Sequence, residues 1–158
     1  WLDSTFYCVG SLDKSLYNGP IFSIKRPDYL HASVAGGMFA GYSLGCDDDH
    51  RRAFATIRDF FLEYWRRNDF MVDYLLVDYL TVLAQRHDPW IAEAFNEIQP
   101  NNPDCDELFK ILDQPYDEDM WKRLSAHTDL FKLTWKQDFP VEHDGEKTFY
   151  GMLEGIGD

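Results

Sequence analysis

Between residues 54 and 65 apolar side chains recur at the spacing of an α-helix. Phe54, Ile57, Phe61, Tyr64 and Trp65 form the apolar stripe, and Arg51, Arg52, Arg58, Arg66 and Arg67 supply a polar face. A helix with this pattern draws most of its stability from packing its stripe against other elements, so this segment demands a folded partner. Asp47-Asp48-Asp49 precedes it, with carboxylates suited to free N–H groups and to the positive end of a helix, and Asn68-Asp69 breaks and recaps the chain. Residues 70–86 then predict a second helix, apolar enough to be buried on most sides. Asp88-Pro89 predicts the cap of a third helix over 90–98, closed by Pro100 and Pro103, and short helices are expected over 106–112 and 117–125.

The stretch up to Cys46 is of another kind, rich in Gly, Ser, Tyr and Phe. Residues 1–9 and 21–25 read as strands, separated by the turn chemistry of Asn18-Gly19-Pro20. Gly36-Gly37 and Gly41 interrupt an apolar run over 32–44, which points to unusual dihedrals or close backbone approach. Residues 131–135 and 148–153 read as short terminal strands or ordered tails. The expectation is one domain or fragment: a strand and loop part over 1–46, a helical part over 47–126, and C-terminal strands over 127–158. The fold class is α/β or α+β, with few short strands followed mainly by helices.

At 158 residues the chain has one ordinary domain's worth of polypeptide, and 45% hydrophobic residues exclude disorder as a description of the whole. Up to Cys46 three acidic residues (Asp3, Asp13, Asp28) balance three basic ones (Lys14, Lys25, Arg26), so the whole net charge of −13 lies beyond it. That balance argues against a nucleic-acid partner. No apolar run approaches the roughly 20 residues that span a bilayer. Cys8, Cys46 and Cys105 make neither a disulfide framework nor a metal knuckle, which favours a reduced, cytoplasmic setting. Hydrolase-elbow, P-loop, dinucleotide, zincin and Cys-x-x-Cys patterns are absent.

Four groups of residues are candidates for chemistry. Asp3-Ser4-Thr5 ends an apolar strand, where a carboxylate can hold a divalent cation or the phosphates of a nucleotide; the plainer alternative is a turn Asp bonded to its own backbone. Asp47-Asp48-Asp49-His50 invites a metal reading, but consecutive residues entering a helix diverge, which favours capping. Asp73 and Asp78, five residues apart on the expected second helix, lie about 140° apart, so at least one should point inward and need a partner. Lys132 and Lys136, set beside Phe131 and Trp135, suit a diphosphate leaving group and a sugar as well as they suit a solvated strand.

These groups fall in a familiar order. Trp1-Leu2-Asp3-Ser4-Thr5 resembles the W-[IL]-D-[AS]-T stretch of the capsular polysaccharide synthesis protein family. The likeness continues through IFSIKRP (21–27), FLEYWRRNDFMVDYLLVDYL (61–80), FKLTWK (131–136) and KTFYGML (147–153). Its most specific part is the spacing Tyr64-Trp65, Asp73-Tyr74, Asp78-Tyr79.

The resemblance implies a GT-A-type glycosyltransferase, with a Rossmann-like sheet and a DxD-like motif. Such an enzyme moves a sugar from a nucleotide-sugar donor to a glycan or lipid-linked acceptor in capsular or extracellular polysaccharide biosynthesis. Asp3 takes the first position of the motif and would bind Mn²⁺ or Mg²⁺, while Thr5 stands where the motif has its second Asp. Lys132 and Lys136 take the basic positions that face the diphosphate. Asp73 and Asp78 take acidic positions of the helical pair, as support for the site. Tyr42 and Trp135 are candidates for stacking on sugar rings.

Because the chain opens directly on Trp1-Leu2-Asp3, the expectation is a C-terminal half that is inactive alone. Peripheral membrane association and a homodimer formed through the exposed interface are part of the same expectation. A rival reading is a non-catalytic helical interaction or carbohydrate-binding module. Thr5 in place of a second carboxylate favours that rival.

Overall fold

The computed structural model describes residues 1–9, 19–27 and 34–155. These fall into two compact units, one drawn from Trp1–Leu2 and Asp13–Asn101, the other from Asp3–Leu12 and Asn102–Asp158. Asn18 and the first residues of the 32–44 run lie outside the described residues.

The first unit joins a small sheet to three helices. Strands β2 (Ile21–Phe22) and β3 (Gly45–Cys46) pair antiparallel, Ile21 opposite Cys46 and Phe22 opposite Gly45. Only the start of the 21–25 segment is strand. Beyond it side chains take over the backbone bonding: Ser23 Oγ accepts from Ala40 N, and Ser43 Oγ accepts from Ile24 N. Helix α1 (Arg51–Arg67) follows the acidic run, which closes its entry turn through Asp47 accepting the His50 N–H at 2.8 Å. Helix α3 (Pro89–Asn96) starts as the sequence says, with the Asp88 carboxylate accepting from Trp90 N and proline in the first turn. Its far end is closed by the buried Lys25, whose Nζ donates to the Ile98 carbonyl at 2.7 Å. Ile21, Phe39, Leu44, Ile57, Ile91 and Phe95 form the centre of this core.

Helix α2 corrects the sequence reading. It runs over Leu76–His87 and not from residue 70, because side chains commit the preceding segment to turns. Asn68 Nδ2 donates to Tyr64 O, Tyr64 Oη donates to Phe70 O and accepts from Val72 N, and Asp73 Oδ1 accepts from Leu75 N. Phe70, Met71, Val72 and Tyr74 are exposed, not buried, and α2 is buried on one face only.

In the second unit, β1 (Phe6–Cys8) pairs antiparallel with β4 (Leu130–Lys132), Phe6 opposite Lys132 and Cys8 opposite Leu130. Asn102, at φ 49°, holds the start of β4 by accepting from both Asp129 N and Leu130 N. A 3₁₀ turn occupies Leu108–Ile111, and α4 (Glu118–Ser125) is capped by Asp117, which accepts from Met120 N. Strands β5 (Glu142–His143) and β6 (Glu146–Lys147) form a hairpin about Asp144-Gly145, both at positive φ (53° and 83°), the backbone of a type I′ turn.

The 148–153 segment, expected as a short strand or ordered tail, is helix α5 (Phe149–Glu154). Thr148 decides this, since its buried Oγ1 accepts from Gly151 N at the helix start and donates to the Pro140 carbonyl. Leu108, Leu112, Phe131 and Phe149 make the core of this unit. All strand pairs among the described residues are antiparallel, and helices and strands are mixed in both units. Of the two expected classes the fold is therefore α+β.

Candidate functional site

Residues 1–9 do not make one continuous strand. The chain turns at Asp3, where Phe6 N donates to the Asp3 carbonyl and the Asp3 carboxylate folds back on its own backbone. Asp3 Oδ1 accepts from Thr5 N at 3.1 Å and from Thr5 Oγ1 at 3.2 Å. Strand β1 begins one residue later, and its register sets Lys132 directly across from Phe6. Leu133 N donates to the Thr5 carbonyl, extending the pairing past the strand end, and Lys132 N donates to Cys105 O.

Lys132 is thereby aimed back across the turn. Its Nζ donates to Thr5 Oγ1 and stands 3.5 Å from Asp3 Oδ2. The Phe6 ring centroid lies 5.8 Å from the ammonium. Asp3, Thr5 and Lys132 thus close a ring of polar contacts across 127 residues of sequence. The Asp3 carboxyl is held below its usual range, first by the Thr5 N–H and also by the Lys132 charge, with partial burial working the other way. With side chains 39% and 21% exposed, Asp3 and Lys132 stay within reach of a ligand.

Other residues singled out from the sequence are elsewhere. Lys136 is exposed, its Nζ 6.0 Å from the Trp135 ring centroid and its backbone N–H bonded to Thr134 Oγ1. Asp73 is not on α2 but in the turn before it. Tyr42 Oη accepts from Arg26 at 3.2 Å. Asp47 pairs with His50 Nδ1 at 2.6 Å and Asp48 with Arg51, so that cluster organises a helix entry.

Asp78 is buried on α2, within the first unit, and presses on Gly41: a Cβ there would lie 2.2 Å from its Oδ1. Close backbone approach at Gly41 is thus what the sequence led one to expect, and Gly36 and Gly37 take positive φ. Burial pushes the Asp78 carboxyl up, and the nearby Gly41 amide pulls the other way. Oδ1 of Asp78, Oγ1 of Thr81 and Nε2 of Gln85 are buried with no hydrogen-bond partner. The sequence reading passed over Thr81 and Gln85, although the spacing i, i+3, i+7 places all three on one helix face. Gly41 and Val77 also line an apolar cleft of about 590 Å³ in the same unit, together with Trp1, Phe54 and Phe61.

Metal chemistry has little support in the donor set. Among the described residues no group of three or more His, Cys, Asp or Glu side chains could hold a metal ion. At the candidate site Asp3 is the one carboxylate in the ring, and Lys132 is set against it. Mg²⁺ and Mn²⁺ are held by one or two carboxylates together with substrate phosphates. Here the single carboxylate is already faced by an ammonium, so these residues as they stand do not fit the ion. Among the described residues no helix is long and apolar enough to cross a membrane.

A surface Asp–Thr–Lys ring at a strand end, on an α+β frame, is an arrangement that can receive a phosphorylated ligand. The chain belongs to the capsular polysaccharide synthesis protein family, whose model matches residues 1–153. That membership ties it to capsular polysaccharide synthesis, a biosynthetic role. No curated protein and no solved structure matches the chain.

Proposed function

We propose that this chain is the donor-diphosphate-binding part of a glycosyltransferase that moves a sugar from a nucleotide-sugar to a glycan or lipid-linked acceptor. The observation that supports this reading is the convergence of Lys132 on the turn of Asp3 and Thr5, 127 residues away from Thr5 in sequence. In the reaction an acceptor hydroxyl oxygen attacks the anomeric carbon. The bond from that carbon to the diphosphate oxygen breaks, the nucleoside diphosphate leaves with the electron pair, and the acceptor proton passes to a base.

The chemical demand is for positive charge where the leaving diphosphate gains negative charge. Lys132 meets it with a donor held by Thr5 and Asp3, so the ammonium does not have to reorganise as the bond breaks. Lys136, exposed beside Trp135, is a second cation that can join once a donor is bound.

Calorimetric titration of UDP and GDP into this chain, and into a form extended upstream, tests the reading. Binding that falls at least tenfold in Lys132→Met supports it. The rival is a carbohydrate-binding or interaction module that kept the fold without the chemistry, and Thr5 in place of a second carboxylate favours it. Neither form binding either nucleotide would leave that rival standing.

A further inference from the structure

We propose that the diphosphate site works without a divalent metal, the Lys132 ammonium holding the place that a metal ion takes between a carboxylate and a diphosphate. This inference rests on the glycosyltransferase reading and specifies the cofactor requirement of that site.

Three observations carry it. Asp3 Oδ1 already accepts two hydrogen bonds from Thr5. The other oxygen, Oδ2, has the Lys132 ammonium 3.5 Å away. Residue 5, where a second carboxylate would sit two positions from the first, is a threonine whose hydroxyl accepts from the same ammonium. A protein that holds Mg²⁺ or Mn²⁺ between carboxylate and diphosphate leaves carboxylate lone pairs turned toward the ion, at about 2.1 Å. An ion seated on Oδ2 at that distance would stand within about 6 Å of the ammonium, so a double positive charge would face a single one.

Replacing one carboxylate by a hydroxyl changes what the site can neutralise. Two carboxylates and a dication leave no net charge, as do one carboxylate and one ammonium. The ring of Asp3, Thr5 and Lys132 is thus balanced as it stands, and the ammonium can bridge to phosphate oxygen by a charge-assisted hydrogen bond. Lysine serves phosphates as a compact point charge with several donors, which suits a bridge between Asp3, Thr5 and a third oxygen.

The test is calorimetric titration of UDP and GDP into this chain and into the form extended upstream, in the presence of EDTA and then with millimolar Mn²⁺, with Lys132→Met and Lys132→Arg alongside. Thermal melting of each variant shows that it is folded. Binding of either nucleotide in EDTA, changed less than about threefold by Mn²⁺, is the expected result. Lys132→Met should weaken it about 10- to 100-fold, and Lys132→Arg should restore part of the loss. Binding seen with Mn²⁺ and absent in EDTA overturns the metal-free site while leaving the transferase reading in place. No binding under either condition overturns the reading itself, and the inference with it.

Discussion

Asp78→Asn keeps the shape of a buried side chain on α2 and removes its charge. The wild-type carboxylate is only 7% exposed, its Oδ1 has no hydrogen-bond partner, and burial is the main cause of its raised pKa. Leaving such a group desolvated costs about 1–3 kcal/mol. Its place in the first turn of α2 returns about 0.3–1 kcal/mol through the helix dipole. Asparagine keeps a buried polar group there and gains less than the carboxylate from the Gly41 amide. It should therefore stabilise the protein by up to about 1 kcal/mol at pH 7, for a chain of this size a rise in Tm of roughly 2–4 °C.

The pH dependence follows from the direction of the shift. A carboxyl whose folded pKa is raised binds its proton more tightly in the native state. Wild-type stability therefore falls as pH climbs from the ordinary value of 3.8 through the raised one, and stays reduced above it. The amide of the variant does not titrate, so the advantage of Asp78→Asn should be greatest at neutral pH and should shrink as pH falls toward 3.8. Urea unfolding at a series of pH values, followed by tryptophan fluorescence and circular dichroism together, measures it, and coincident transitions justify two-state treatment. A variant less stable than wild type at pH 7, or an advantage independent of pH, would refute the reasoning.

Four other outcomes can be checked directly. Gly151→Ala should cost about 3 kcal/mol in urea unfolding, because its Cβ would sit 2.1 Å from the Val141 carbonyl oxygen, a backbone atom that cannot rotate away. Thr148→Val removes the cap of α5 and the donor to Pro140, and a loss of about 2 kcal/mol is expected in the same assay. Glu63, bonded by Arg66 and Arg67, should titrate at about 2 by NMR. Its stabilising contribution is then present above pH 4.5 and lost as pH falls toward 2. Thr5→Asp should create Mn²⁺ binding, detected as loss of the free-ion electron paramagnetic resonance signal, where wild type shows none.

Helix caps and glycines were the most legible features. Asp88-Pro89 and Asp117 begin helices because a carboxylate two or three residues ahead of a free N–H satisfies it wherever the chain goes next. Gly41 was legible as a close approach, though only the fold shows that Asp78 is what approaches.

The apolar content of 70–75 suggests burial, whereas the Tyr64 hydroxyl and the Asp73 carboxylate bind local backbone and hold those side chains outside. For 148–153, a short strand or ordered tail gives way to a helix because Thr148 caps it, its Oγ1 accepting from Gly151 N. Of the site residues, Asp3, Thr5 and Lys132 meet because β1 and β4 pair in one register. Lys136 lies past the strand end, where register no longer constrains it.

The pairing of β1 with β4 also bears on how the protein is made. Thr5 and Lys132 are 127 residues apart, so a ribosome adding ~5–20 residues per second needs roughly 6–25 s to supply the second after the first. For that interval Phe6–Cys8 is a strand with no partner, and contacts so distant in sequence are also slow to close. Synthesis from the N-terminus therefore favours completing the helices of the first unit early and assembling the Asp3–Thr5–Lys132 ring late. A chain stopped before residue 130 would keep α1, α2 and α3 but have no β4 with which to form it. The ring thus marks chains that have been extended past Lys132.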